Sequence, residues 1–201
     1  MARICAYQDN FLFYGMTLFL DTEFTGLRQS AELISLALVS ENGEWFYAEF
    51  TDYDAAALSG WHKEHVLPYL FLEQGKRPGY AKEGGTVARG TRAEVKEALA
   101  GWMAQFEKTE VWADVPAYDW VLFCELFGGA LHLPKQIFYM PFDFATFLKA
   151  QGRDPDAPRE SLAEEWAGRH EGARHNALYD AFLLREGYRN LAAVEEKKFE
   201  H

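Results

Sequence analysis

The sequence is poor in cysteine, in basic residues and in long apolar runs, and each shortage excludes a class of protein. Only two cysteines, Cys5 and Cys124, occur among 201 residues. They cannot build a disulfide framework, and no CxxC pair or Cys/His cluster indicates a zinc site. The apolar run 11–20 is too short to span a membrane and lacks the cleavage site of a signal peptide. We therefore expect a cytoplasmic protein that does not enter a membrane.

The charge balance is acidic, with 31 Asp and Glu against 20 Lys and Arg and a formal net charge of −11. Proteins that coat nucleic acid without cutting it are usually basic, so this balance argues against a passive nucleic-acid-binding module. An enzyme that meets phosphates through bound metal ions remains compatible with it, because such cations invert the local electrostatics. Hydrophobic residues make up 49% of the chain and aromatic residues 16%, which excludes a disordered protein.

The order of predicted elements indicates one α/β domain over residues 16–195, with a mixed sheet and helices in three layers. Residues 1–15 precede the first strand and are interpreted as an N-terminal extension, an upstream start or a remnant. Apolar runs predict strands at 16–20, 33–40, 44–50, 110–113 and 137–140. Helical spacing and capping boxes predict helices at 61–70, 91–106, 117–127, 143–149, from 161 onward and at 175–194.

Residues 75–92 form a glycine-rich basic segment that interrupts this pattern. It contains five Lys and Arg and a single acid, Glu83, and its composition predicts a long mobile surface loop. Two interpretations stay open. The cations steer a phosphate backbone toward the domain, or they only keep the loop solvated.

Two carboxylates at the end of the first strand give the first functional signal. Side chains alternate along a strand, so Asp21 and Glu23 lie on the same face, about 7 Å apart along the chain. Like charges so close repel each other unless a cation lies between them, which suggests a divalent metal. The alternative is a surface turn with solvated acids.

Two later segments supply further candidates. Asp119 falls in the first turn of an apolar helix, either as a metal ligand or simply as an acid favoured by the helix dipole. Asp114, in the connection before that helix, is an alternative ligand. His175 lies at the entrance of the last helix and Asp180 lies on its apolar face, where a buried acid needs a partner.

The ordered set, an Asp-x-Glu pair, a middle Asp and a final His-x4-Asp, resembles the DEDDh family of 3′–5′ exonucleases over about residues 16–191. The resemblance implies a ribonuclease H-like three-layer fold with a mixed five-stranded sheet flanked by helices. It implies that Asp21, Glu23, Asp119 and Asp180 bind two divalent ions, Mg²⁺ or Mn²⁺, and that His175 is the general base. The expected reaction is hydrolysis of single-stranded RNA from its 3′ end, releasing nucleoside 5′-monophosphates.

Three shorter segments, at 32–35, 61–68 and 112–119, are similar to a narrower branch, the ribonuclease AS type. That branch is described as polyadenylate-specific and is related to ribonuclease T and oligoribonuclease. The similarity implies poly(A) among the substrates and a homodimer. Two alternatives remain open, namely a 3′–5′ DNA exonuclease of the same superfamily and a non-catalytic nucleic-acid-binding module.

The same resemblance suggests where the substrate binds. Residues Phe24, Thr25 and Leu27 follow the acidic pair, and the family likeness places their backbone at the terminal ribose and Leu27 against the last base. Trp61 and Tyr118 are candidates for base stacking. The alternative is that Leu27 and Trp61 belong to the core.

Overall fold

A six-stranded mixed sheet forms the centre of the computed structural model, which describes residues 15–77, 85–170, 172 and 174–199 and, for 193–199, the backbone only. Its strands are β1 (Met16–Phe24), β2 (Leu33–Ser40), β3 (Trp45–Phe50), β4 (Gly85–Gly90), β5 (Thr109–Ala113) and β6 (Phe142–Asp143). They are arranged in the order β4-β3-β2-β1-β5-β6. Strand β2 is antiparallel to both β1 and β3, and the other neighbouring pairs are parallel.

Helices cover both faces of this sheet. They are α1 (Gly60–His65), α2 (Arg92–Met103), α3 (Asp119–Leu126), α4 (Phe144–Ala150), α5 (Arg159–Leu162), α6 (Glu164–Ala167) and α7 (Ala177–Phe199). Helices α2 and α3 pack with Leu18, Leu20 and Leu36 on one face, whereas α7 packs with Ala37 and Tyr47 on the other. The predicted three-layer α/β architecture is confirmed, with six strands instead of five.

Burial on both faces explains the composition of the central strands. Every residue of β2 is buried, as expected for a central strand covered by helices on each side. Strand β1 continues four residues beyond its predicted end at Leu20, because its backbone stays paired with β2 as far as Phe24. Asp21 and Glu23 therefore lie within the strand and not in a surface turn.

Two predictions about the sheet edges are wrong. Residues 137–140 do not form a strand: Ile137 makes one isolated bridge to Thr109, and the edge strand is β6 instead. Within the basic segment 75–92, Gly85–Gly90 is strand β4 rather than loop. A Cβ at Gly85 would lie 1.8 Å from the Trp45 ring, so the glycine allows β4 to pair beside that side chain. Residues 78–84 of this segment lie outside the described residues.

The helix starts were predicted with mixed success. The Thr91 side chain caps α2 and Glu94 bonds back to the Thr91 backbone, as the capping box predicts. Asp143 caps α4 through the Thr146 backbone N–H. The capping box predicted at Ser161 is wrong, because its hydroxyl donates to the Pro158 carbonyl and the segment divides into α5 and α6.

Residues 1–14, most of the predicted extension, lie outside the described part of the chain. Within that part, no helix is both long enough and apolar enough to cross a bilayer.

Candidate active site

The candidate site forms where β1 extends past its neighbour β5. The two strands pair only as far as Leu20 and Ala113. Beyond that point the Thr22 backbone N–H has no strand partner on this side, and it donates to Asp119 Oδ1 at 3.0 Å instead. The Thr22 hydroxyl donates to the same oxygen at 2.7 Å. Asp119, in the first turn of α3, is thereby fixed beside the end of β1.

Three other acids converge at the same end of β1. One carboxylate oxygen each from Asp21, Glu23 and Asp180 lies within 4.8 Å of the others. Asp21 Oδ2 is buried and has no hydrogen-bond partner among the described residues. Asp180 Oδ2 accepts a hydrogen bond of 2.8 Å from the His175 backbone N–H. The structure thus brings the two carboxylates of the first strand together with one from the last helix.

The electrostatics of this cluster are unfavourable without a cation. Burial raises the pKa of Asp21 and of Glu23 well above the ordinary values, and the neighbouring negative charges of Asp180 and Asp119 raise these pKa values further. Burial also raises the pKa of Asp180 to about 7, although the His175 N–H opposes that shift. Burial raises the pKa of Asp119 against the opposing effect of its Thr22 hydrogen bonds.

These properties fit a divalent metal site. A buried, unpartnered carboxylate oxygen and three converging acids offer the hard oxygen donors that Mg²⁺ and Mn²⁺ prefer. A bound cation would also favour the ionised form of every acid whose pKa burial has raised. The donor set contains no thiolate, which would favour zinc.

All five predicted chemical residues line one cavity of about 560 Å³, a size typical of small-molecule and nucleotide sites. They are Asp21, Glu23, Asp119, His175 and Asp180. No Lys or Arg among the described residues lines this cavity. A phosphate entering it would meet several carboxylates and no Lys or Arg of the described residues unless metal ions were bound.

His175 has an unusual backbone conformation. Its φ of 67° is the only positive value among the described non-glycine residues, and such a conformation at a side-chain-bearing residue usually marks a turn or a functional site. The imidazole ring lies 4.8 Å from the Trp61 ring and 6.4 Å from that of His65. Burial lowers the pKa of His175, and the charge of Arg174 lowers it further. The ring is therefore neutral near pH 7 and able to accept a proton.

Leu27 and Trp61 are not core residues, so that alternative interpretation is wrong. Leu27 is 76% exposed and Trp61 is 46% exposed, and both line the cavity. Leu27 projects from a turn in which Gly26 adopts φ 148°, a conformation that favours glycine.

The other three candidates for substrate contact are placed differently. Phe24 lines the cavity and stacks on Tyr118, with 5.6 Å between the ring centroids. Neither Thr25 nor Tyr118 is part of the cavity wall. The buried Thr25 hydroxyl accepts a hydrogen bond of 3.0 Å from the Glu32 backbone N–H, so its side chain holds the loop that follows β1.

Asp114, the alternative ligand, also lines the cavity but is engaged elsewhere. Both of its carboxylate oxygens accept from Arg159 Nε at 2.9 Å, and Oδ1 accepts from the terminal guanidinium nitrogen at 2.6 Å. It is not part of the metal-ligand group formed by the three converging acids. Arg159 therefore forms an ion pair with a fifth acid beside the site, a contact between residues 45 positions apart that no local pattern predicts.

His62 is a second residue of the site that sequence reasoning missed. Its Nδ1 accepts from the Ser59 backbone N–H at 3.1 Å, and Nε2 lies 3.1 Å from the Phe24 carbonyl oxygen. Because a backbone N–H can only donate, the His62 proton lies on Nε2 and is donated to Phe24. This bond ties α1 to the end of β1. The only sequence signal was the N-cap serine three residues earlier.

Comparison with known proteins identifies the family. A family model described as the 3′-5′ exoribonuclease Rv2179c-like domain matches residues 16–190. The chain belongs to this family. The 3′-5′ exoribonuclease Rv2179c of Mycobacterium tuberculosis (strain H37Rv) is 31% identical over 168 residues, which cover 83% of this chain and 87% of that protein. The 3′-5′ exoribonuclease MT2234.1 of the CDC 1551 strain matches equally well.

Solved structures agree with the family at the level of the fold. The nuclease domain of 3′hExo, a DEDDh family member solved bound to rAMP, superposes with a TM-score of 0.57 and 14% identity, covering 90% of this chain and 94% of that one. The Neurospora crassa Pan2 catalytic unit gives a TM-score of 0.50 and 14% identity, covering 91% of this chain and 28% of that one. The predicted ribonuclease H-like fold is confirmed, and the family match makes the chain a 3′–5′ exonuclease.

Proposed function

We propose that this exonuclease is metal-dependent and removes nucleotides from the 3′ end of single-stranded RNA, releasing nucleoside 5′-monophosphates. The observation that carries the proposal is the convergence of Asp21, Glu23 and Asp180 around an unpartnered, buried carboxylate oxygen. RNA as the substrate is supported by the family's description and by the rAMP bound to the 3′hExo nuclease domain.

The four acids divide into two groups that suit two ions. Asp21, Glu23 and Asp180 would hold one divalent ion, and Asp21 with Asp119 would hold a second. When bound, the ions supply Lewis-acid activation of the attacking water and charge stabilisation of the leaving oxygen. Thr22 fixes one oxygen of Asp119 with two hydrogen bonds, which orients the carboxylate before any ion arrives.

His175 acts as the general base in this mechanism. Burial keeps the pKa of its ring below the ordinary value, so an imidazole nitrogen is free to accept the proton of the attacking water at neutral pH. The edge of the Trp61 ring packs at 4.8 Å and restricts the orientation of the imidazole. The His175 backbone N–H donates to Asp180, so the base and one metal ligand are positioned together.

The cavity wall supplies the contacts to the terminal nucleotide. We propose that Leu27 packs against the last base and that Trp61 stacks on a base, since both are exposed at the cavity. Phe24 is part of this wall and is held in place by its stacking contact with Tyr118. Thr25 contributes through its backbone, because its side chain is bonded to the following loop.

The narrower similarity to ribonuclease AS supports poly(A) as a preferred substrate.

We also propose a cytoplasmic homodimer. Support for a partner surface comes from exposed apolar side chains between α3 and β6, where Leu131 is 96% and Tyr139 65% exposed. Sedimentation velocity tests the dimer.

A nuclease assay tests the proposed function. RNA labelled at its 5′ end should give a ladder shortening from the 3′ end with Mg²⁺ or Mn²⁺ and remain intact with EDTA, and poly(A) should be degraded faster than the other homopolymers. Equal degradation of the matched DNA would favour the DNA exonuclease. An intact RNA substrate with every metal ion would contradict the proposal.

A variant of the proposed base separates chemistry from metal binding. H175A should lower turnover by roughly 10²-fold or more, with Mn²⁺ affinity retained. The matched control is H132A, because His132 is exposed and bonds only its own turn at the Gly128 carbonyl. Wild-type turnover by H175A would contradict the assigned role.

A further inference from the structure

A chain of buried polar groups connects strand β3 to the residue that follows His175. That residue, Asn176, is 1% exposed and precedes the first residue of α7. We propose that Asn176 is a positioning residue that holds His175 in its catalytic conformation, an inference that rests on the proposed role of His175 as the base.

The Asn176 side chain makes bonds of two kinds. Its Oδ1 accepts from the Tyr179 backbone N–H at 3.2 Å and so caps the start of α7. Its Nδ2 donates to the Tyr69 carbonyl at 2.8 Å and to the Tyr47 hydroxyl at 3.4 Å. Serine, threonine or aspartate could serve as the cap. A primary amide places its acceptor and its donors on separate atoms, so it can cap the helix and bond the segment that follows α1 at once, whereas a hydroxyl has a single oxygen for both roles.

The acceptors of this amide are themselves fixed. The Tyr47 hydroxyl donates to Glu49 Oε1 at 2.9 Å. Glu49 is 1% exposed, and its two oxygens accept from the backbone N–H groups of Leu72 and Glu73, each at 2.7 Å. Segment 69–73 is thus held to β3 by Glu49, and Asn176 is held to both the segment and the strand. The network gives Asn176 a rigid anchor on the sheet.

His175 needs such an anchor because its backbone is strained. A φ of 67° at a residue with a side chain is unfavourable and persists only where the surroundings enforce it. Its own N–H bonds Asp180, which fixes the residue on one side. Asn176 fixes the peptide on the other side. If the Asn176 amide were lost, the His175 backbone could relax and move the imidazole away from the attacking water, and small misplacements of a base cost much rate.

The competing interpretation is that Asn176 only stabilises the fold as a helix cap. N176S separates the two possibilities, because serine keeps a capping oxygen and removes the Nδ2 donor. The matched control is N190S. Asn190 lies on α7 away from the cavity, and its Nδ2 donates to the Leu162 carbonyl at 2.8 Å.

The test is a double-mutant cycle on RNA hydrolysis. N176S should lower kcat about tenfold while KM and Mn²⁺ affinity change less than about twofold, and N190S should leave kcat unchanged. In the H175A background, N176S should cause no further loss, because a residue that acts through His175 has nothing left to position. If N176S fails to fold, Y47F replaces it in this experiment, with the same expected loss of kcat. This variant removes the hydroxyl that accepts from Asn176 and keeps the helix cap.

Three results for the Asn176 and Tyr47 variants would overturn the inference. They are wild-type kcat in both N176S and Y47F, an equal loss of kcat with and without His175, and a loss confined to KM. Wild-type turnover in H175A alone would also overturn it, and this outcome would identify the proposed role of His175 as the error. Normal loss in H175A with normal kcat in N176S would leave the proposed function intact and reject the positioning role.

Discussion

Removal of divalent metal ions should destabilise this protein increasingly as the pH rises. The reason is the raised pKa of Asp180, which burial moves from the ordinary 3.8 to about 7. A carboxyl that binds its proton more tightly in the folded state stabilises the fold at low pH. That contribution is fully present below about pH 4 and is lost as the pH rises through about 7.

The size of the effect follows from the shift. About three pKa units at 1.36 kcal/mol each correspond to about 4 kcal/mol for Asp180 alone. For a chain of this length, about 1 kcal/mol moves the melting temperature by about 2–4 °C. The melting temperature of the metal-free protein should therefore fall by about 10 °C between about pH 4 and about pH 8 through Asp180 alone. A divalent ion at about 100 times its Kd should restore about 2.7 kcal/mol.

Thermal melts followed by circular dichroism, in EDTA and in Mg²⁺, provide the assay. The D180N variant should remove the contribution of Asp180 to the pH dependence in EDTA, because asparagine carries no titrating proton, while that of Asp21 and Glu23 remains. It should also remove most of the response to Mg²⁺. D156N is the matched control, since Asp156 is exposed and outside the cavity. Melting temperatures in EDTA that do not fall with pH, together with no stabilisation by Mg²⁺, would refute the reasoning.

Three further predictions concern residues around the metal ligands. T22V should lower kcat about tenfold and weaken Mg²⁺ binding, because it removes one of the two hydrogen bonds that orient Asp119. W61A should raise KM for RNA about fivefold or more, with a smaller effect on kcat, if its ring stacks on a base. Replacing Lys76 and Arg77 together by glutamine should flatten the salt dependence of KM if these cations contact RNA.

Two of these three predictions have a control variant. T86V replaces an exposed strand threonine and should leave kcat and Mg²⁺ binding unchanged. Neutralising Arg89 and Arg92 should change the salt dependence of KM less than neutralising Lys76 and Arg77 does. The reason is that Arg89 lies 3.9 Å from Glu49 and Arg92 forms a 2.8 Å ion pair with Glu32. The first prediction would be contradicted by equal kcat in T22V and T86V, and the second by an unchanged KM in W61A. The third would be contradicted if both cation pairs gave the same salt dependence of KM.

The order of elements and the chemical residues could be predicted because their signals are local. Apolar runs of strand length identify β1, β2 and β3, and the acids and the histidine were found through their resemblance to a known family motif. The same local logic fails at the sheet edges. The apolar run at 137–140 resembles a strand, but it forms one isolated bridge, between Ile137 and Thr109. The glycines of 85–90 resemble a loop, yet pairing with β3 makes this segment a strand.

The residues that orient the site could not be predicted, because their roles depend on contacts between distant segments. Thr22 contacts Asp119 across 97 positions of sequence, and Asn176 contacts Tyr47 across 129. Neither residue type is distinctive by itself. Arg159 was likewise inaccessible, since its ion pair with a residue 45 positions away exists only in the folded chain.

Diffraction from crystals soaked in Mn²⁺, recorded near the manganese absorption edge, tests the central claim most directly. The account predicts two anomalous peaks in the cavity, one among Asp21, Glu23 and Asp180 and one between Asp21 and Asp119, and it predicts the loss of the first peak in D180N. A cavity without anomalous density at saturating Mn²⁺, or density at acids elsewhere on the surface only, would contradict it.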